Sequence, residues 1–317
     1  MDKGITLILN LVGNACNMNC SYCYEHDTIK YDTINNLNIA KINDVKEFLS
    51  SFIDYHHIHI LFHGGEPLLY GKDLIKDILK FIKTNFLNKY TIQIQTNGLL
   101  IDDDFINIFL DYNVQLSISL DPIGDMDLRK ANNFEYRKVV ISNISKYIKK
   151  IDTIGIVSVA HKYNINYFKE FIDELINYKI KFLTINKIRY STHNTDYYIT
   201  EKEYNKMLKE ILIYWINNKK YKSIDIQPFI SLLTDSKICI YSSDNNKCKY
   251  FKTFYNKEYN TEYCSHIISN KMPNVDKKCL ECYIYDWCGG GCLVDQKDET
   301  FCESRKDFKL FLDKIKL

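Results

Sequence analysis

Cys16-Asn17-Met18-Asn19-Cys20-Ser21-Tyr22-Cys23-Tyr24 is the stretch on which the reading of this chain turns. Three thiols at C-x3-C-x2-C spacing sit on a short loop directly after an apolar run, Ile5 to Val12. Three thiolates on one loop can hold three corners of a cubane [4Fe–4S] cluster, whose irons are ordinarily bound by cysteine sulfur. The loop offers no fourth ligand. An open metal position marks a reacting centre rather than a brace for the fold, as catalytic and structural zinc sites also show.

The rest of the composition is ordinary, with 317 residues, 46% hydrophobic and a net charge of +2. That length can hold one large core or two modest ones. The charge gives no ground for proposing nucleic acid or a membrane as partner. Eleven cysteines are the exception, three early and eight late. An odd count on a chain long enough to fold without staples points to metal or redox chemistry in a reducing compartment. Met1–Ala15 does not read as a secretory or lipoprotein signal. Asn10 breaks the apolar run, Asp2 offsets Lys3, and Gly13 stands where lipid attachment wants leucine. No run approaches the roughly 18 apolar residues of a membrane span. The expected location is cytoplasmic.

Strand-like and helix-like segments alternate through the first 190 residues. Ile5–Val12, Ile58–Phe62, Thr91–Gln95, Val114–Leu120, Ile154–Val159 and Ile180–Ile185 read as strands. Between them Ile42–Ile53, Leu74–Phe86, Asp102–Leu110, Tyr136–Ile148 and Tyr167–Ile176 carry helical periodicity. Such alternation predicts a parallel sheet with right-handed crossovers, either open or barrel-like, with a site at the carboxyl ends of the strands. Glu201–Asn218 then reads as one long helix, and a helical tail starts near Arg305. The predicted division is 1–190, a bridging region 191–238, and a cysteine-rich 239–317.

Several strand ends carry chemistry. His63-Gly64-Gly65-Glu66-Pro67 combines close backbone approach with a carboxylate suited to an ammonium group. Gln95-Thr96-Asn97-Gly98 and Ser117-Ile118-Ser119-Leu120-Asp121-Pro122 follow at the next two strand ends. Arg129 offers a guanidinium fork that matches a carboxylate. His56, His57, His59 and His63 invite a metal reading. Strand alternation sends neighbours to opposite faces, so they are read as structural or pocket-lining.

The late cysteines are Cys239, Cys248 and Cys264, then Cys279-x2-Cys282-x5-Cys288-x3-Cys292 and Cys302. Eight thiols make two complete four-thiolate sites, for zinc or for iron–sulfur clusters.

The early loop, with aromatic Tyr22 before its last cysteine, resembles the cluster loop of radical S-adenosylmethionine (SAM) enzymes. The later pattern is similar to the SPASM domain, a C-terminal extension that carries auxiliary clusters. The resemblance implies a partial (β/α)6 TIM-like barrel followed by a small cysteine-rich SPASM domain. It implies SAM and three [4Fe–4S] clusters as cofactors. Cys16, Cys20 and Cys23 would hold the first cluster, Cys239, Cys248, Cys264 and Cys292 the second, and Cys279, Cys282, Cys288 and Cys302 the third. Tyr22, Gly64, Gly65, Glu66, Thr96, Asn97, Ser119, Asp121 and Arg129 would line the SAM pocket. Glu66 would take the amino group there, and Ser119 with Arg129 the carboxylate.

The implied reaction is reductive cleavage of SAM, then hydrogen abstraction from a peptide or protein side chain. Oxidative crosslinking or two-electron oxidation follows, with a flavodoxin- or ferredoxin-type protein as electron donor. The general base is not identified by the motifs. Ser265 stands where sulfatase-maturating relatives place an aspartate, with Glu262 or Asp286 as substitutes. Only fifteen residues precede Cys16, so a leader peptide would be read by the barrel mouth, the SPASM region or a separate protein. A tetrapyrrole or other small-molecule substrate stays open, as does a zinc or electron-transfer module without SAM chemistry.

Overall fold

The computed structural model describes residues 4–24, 39–87, 89–131, 135–151, 153–190, 194–233, 251–255, 260–261, 275–292 and 297–315. Nine strands form one sheet: β1 (Gly4–Asn10), β2 (His57–His63), β3 (Tyr90–Thr96), β4 (Val114–Ser119), β5 (Gly155–Ala160), β6 (Phe182–Lys187), β7 (Asp225–Gln227), β8 (Phe251–Phe254) and β9 (Asn260–Thr261). Their order is β7-β6-β5-β4-β3-β2-β1-β8-β9. β1 to β8 pair in parallel, and only β9 runs antiparallel, against β8. Among the described residues the end strands β7 and β9 do not pair, so the barrel is partial.

Helices α1 (Ile42–Ser50), α2 (Lys72–Asn85), α3 (Asp103–Asp111), α4 (Tyr136–Tyr147) and α5 (Phe168–Asn177) fill the crossovers. Each lays an apolar stripe on the sheet. On α2 that stripe is Ile75, Ile78, Leu79 and Ile82, at the three- and four-residue spacing of one helix face. Alternation supplies the facing surface: Ile58, Ile60 and Phe62 of β2 are fully buried, with Ile92 and Ile94 of β3 and Leu116 and Ile118 of β4 beside them. Long α6 (Glu201–Asn217) follows β6 and opens with a capping box between Thr200 and Glu203. Short α7 (Phe229–Leu233), α8 (Lys277–Leu280) and α9 (Tyr285–Cys288) precede α10 (Phe301–Ile315), which packs along α6.

The opposite sheet face is polar. Gln93 Nε2 donates to Ser117 Oγ at 2.6 Å, Gln95 Nε2 donates to Ser119 Oγ at 2.8 Å, and His59 Nδ1 lies 2.9 Å from Thr91 Oγ1. This corrects one expectation. His57, His59 and His63 occupy alternate positions and share that face, rather than being split between faces. They are strung along the strand at about 3.3 Å per residue. Among the described residues no three His, Cys, Asp or Glu side chains could hold one metal ion. No described helix is long and apolar enough to cross a membrane.

Candidate active site

The cysteine loop leaves β1 at its carboxyl end and is held from both sides. On one side Gly65 N–H donates to Gly13 O and Glu66 N–H to Ala15 O, each at 2.8 Å. A Cβ at Gly65 would lie 2.0 Å from Ala15 O, so only glycine allows this approach. On the other side Asn19 N–H donates to Lys130 O at 2.7 Å and Ser21 N–H to Leu128 O at 2.9 Å, with a bridge between Met18 and Ala131. The loop therefore hangs between two segments that are distant in sequence. Cys16 is exposed, Cys20 and Cys23 are half-buried, and none of the three is in a disulfide. The protein packed around Cys16, with Glu66 and Cys20 nearby, raises its thiol to about 11. Thiols of this kind bind metal by releasing protons.

Glu66 organises the first side. It is fully buried and accepts from Thr96 Oγ1 at 2.7 Å, Asn97 N at 2.7 Å and Leu68 N at 3.1 Å. Burial lifts its pKa to about 6 against these donors and the nearby Arg129 charge. Asn97 Nδ2 reaches Asn17 Oδ1 at 2.6 Å and Cys16 Sγ at 3.7 Å. Glu66, Thr96 and Asn97 thus form one unit with the first cysteine. A carboxylate has about four acceptor positions, and Glu66 has three of them occupied.

Tyr22 organises the second side. Its hydroxyl donates to Asp121 Oδ2 at 2.5 Å and accepts from Arg129 Nη1 at 2.7 Å. Asp121 also accepts from Ser158 Oγ and Val159 N. The buried Arg129 is held charged, against its burial, by Tyr22, Cys20 and Asp121. Ser119 and Arg129 are therefore not drawn to one point by their present contacts, since Ser119 accepts from Gln95 and Arg129 donates to Tyr22. Three residues here escaped the sequence reading. His161 packs its ring on Tyr22 at 5.6 Å, Asn194 Nδ2 donates to Tyr22 O at 3.4 Å, and Asn10 lies buried under Gly64. None stands in a motif. Only its place at the end of an apolar strand singles out Asn10.

The later thiols converge in part. Burial pushes the Cys279 and Cys288 thiols up, and Cys302 is near enough to both to add to it; Cys282 packs against Cys288, and its N–H donates to Cys279 O across a tight turn. Cys288 is buried with Ile284 and Phe301. Gly291, at φ +75°, places its α-carbon where an added Cβ would strike the Phe301 ring at 2.3 Å. Cys292 is half-buried on the same segment. Asp286 is exposed on α9. Cys239, Cys248, Cys264 and Glu262 lie outside the described residues.

Three thiols on one loop are a soft donor set suited to iron–sulfur binding, and a cluster spreads them over several irons rather than one. Asn10 Oδ1 and Arg129 Nε are buried with no hydrogen-bond partner among the described residues. They are a spare acceptor and a spare donor, the types of group with which the ammonium and carboxylate of an amino-acid moiety such as that of SAM pair. The residues present fit both groups.

Comparison with known proteins agrees with this donor set. The profile of the radical SAM superfamily matches residues 10–175. The chain is 23% identical over 356 aligned positions to a cysteine-type anaerobic sulfatase-maturating enzyme of Clostridium novyi (strain NT), covering 96% of this chain and 94% of that one. Its fold is similar to native anSMEcpe with bound AdoMet and Cp18Cys peptide, with a TM-score of 0.76 at 18% identity and 99% of both chains covered. It is also similar to Streptococcus suis SuiB bound to S-adenosylmethionine, with a TM-score of 0.67 at 15% identity, covering 95% of this chain and 78% of that one. The chain belongs to the radical SAM superfamily, whose members join an iron–sulfur cluster to S-adenosylmethionine.

Proposed function

We propose that this protein is a radical SAM maturase that oxidises or crosslinks a side chain of a peptide or protein. The observation that carries the reading is the end-to-end correspondence, cysteine-rich region included, with an enzyme named for maturing another protein. Three [4Fe–4S] clusters are proposed, one on Cys16, Cys20 and Cys23 and two on the eight later cysteines. When bound, the first cluster and SAM supply the one-electron chemistry that removes a hydrogen atom from an unactivated C–H bond.

The chain's own residues do the positioning. Glu66 holds the ends of β2 and β3 in register beneath Cys16, through Thr96 and the Asn97 amide. Tyr22 fixes the other end of the loop between Arg129 and Asp121. Arg129 Nε and Asn10 Oδ1, buried without partners, would receive the polar ends of the amino-acid moiety. The polar inner sheet face, with Gln95 and Ser119 near its mouth, takes the target segment.

Sulfatase maturation is the second reading, favoured by the same relative. Ser265 in place of the expected aspartate weighs against it. Anaerobic iron and sulfide analysis is the first test, with about twelve irons per chain expected for three cubanes. Zinc without iron would overturn the proposal. Co-expression with small peptides encoded beside the gene should yield a peptide lighter by two hydrogens. A sulfatase peptide oxidised instead would select the second reading.

A further inference from the structure

The joint between barrel and C-terminal module contains a closed set of four charges. Lys187 is the last residue of β6, and Glu201 is the first of α6. Arg305 lies on α10, one turn beyond Cys302, and Asp298 precedes that helix. Arg305 Nε lies 2.7 Å from Glu201 Oε1, with the two side chains only 5% and 4% exposed. Glu201 Oε2 is 3.4 Å from Lys187 Nζ, which is 3.3 Å from Asp298 Oδ2. Asp298 Oδ2 in turn accepts from the Glu201 backbone N–H at 2.8 Å. Lys187 Nζ also donates to the Tyr198 hydroxyl at 2.9 Å, and Ser304 Oγ donates to Glu201 O at 3.2 Å. Two cations and two anions balance in a region screened little by water.

This neutral set abuts the cysteine centre. The Arg305 guanidinium stacks over Phe301 at 5.3 Å, and Phe301 packs on Cys288. Lys297 also sits over Phe301, at 5.6 Å, but it is exposed and solvated. Reduction adds negative charge to an iron–sulfur cluster, and its potential follows the net charge, hydrogen bonds and exposure around it. A buried charge acts on it through a lower dielectric than an exposed one does.

We infer that the Arg305–Glu201 pair, closed by Lys187 and Asp298, sets the reduction potential of a cluster held by Cys279, Cys282, Cys288 and Cys302. The inference rests on the reading that these four thiols bind iron. Arg305 and Glu201 are positioning residues that act through their charges and packing. The same contacts dock the module on β6, so its seating and its potential are set together.

The test uses the full chain, reconstituted anaerobically, with iron assayed and potentials read by EPR titration of the signal that a Cys279→Ala variant loses. Glu201→Gln should raise that potential and Arg305→Gln should lower it. The double variant and Arg305→Lys should return it toward wild type, and Lys297→Gln should move it less than Arg305→Gln. Should either buried variant lose iron, Asp298→Asn and Lys187→Met serve in its place, with a rise and a fall expected. Shifts of the same sign, or none, with iron retained would overturn the inference. If replacing all four cysteines by alanine leaves the iron count unchanged, the cluster reading itself fails, a result distinct from the first.

Discussion

Tyr22 shows how much one hydroxyl can hold in place. It bridges Asp121 and Arg129, 99 and 107 residues away, and all three are buried. Tyr22→Phe leaves a carboxylate oxygen and a guanidinium N–H without their shared partner. The expected loss is about 2–4 kcal/mol of stability, from the cost of stranding buried charged groups. A denaturant midpoint measured anaerobically checks it. A midpoint equal to wild type would mean that water replaces the hydroxyl. His161 provides a pH signature. Burial lowers its pKa from 6.5 to about 4, opposed by Asp121, so it is neutral in the folded chain. Its folded value lies below its unfolded one, so the unfolded chain binds more protons in that window and stability falls as pH falls. Acidification from pH 7.5 to 5.5 should cost about 1.4 kcal/mol through this residue alone. His161→Asn should lose that part of the slope, as denaturant midpoints across the range would show. At this scale the sequence was only half legible. Arg129 stands out as a scarce arginine, but its bond to Tyr22 depends on a fold that joins residues far apart in the chain.

At the scale of elements the reading was closer. Every strand and helix expected up to Asn218 is present, with boundaries within three residues, because each carries a long apolar period. β7, β8 and β9 were missed for a physical reason: strands of two to four residues have no period to detect. The Gly64-Gly65 turn was legible as a tight corner, but what it touches was not. Gly65→Ala would set a methyl carbon 2.0 Å from Ala15 O, backbone that cannot step aside. A destabilisation of about 2–4 kcal/mol is expected, with reduced iron at the early loop by chemical assay. Gly4→Ala, where the added carbon would lie 3.7 Å from His57 O, should retain wild-type iron. Thr200→Ala removes the N-terminal cap of α6 and should cost about 1 kcal/mol. The midpoint of thermal unfolding reports it.

For the molecule as a whole, the predicted division at residue 239 separates the cysteines well but cuts across the sheet. β8 comes from the cysteine-rich part, yet it pairs with β1 from Thr6 to Leu9. Residues 1–238 made alone should therefore expose one edge of β1 and self-associate. Size-exclusion chromatography would show this, and a clean monomer would contradict it. This arrangement was not legible because nothing in a four-residue segment announces a partner some 240 residues earlier.

The same strand fixes an order of assembly during synthesis. β1 leaves the ribosome first and gains β2 early, but its other edge waits for Phe251–Phe254. At 5–20 residues per second the wait is roughly 10–50 s. Throughout it the cysteine loop at the end of β1 is already made, while the strand that closes its sheet edge is not. A nascent chain arrested before residue 251 would thus carry its cysteine loop on a sheet whose β1 edge is still unpaired.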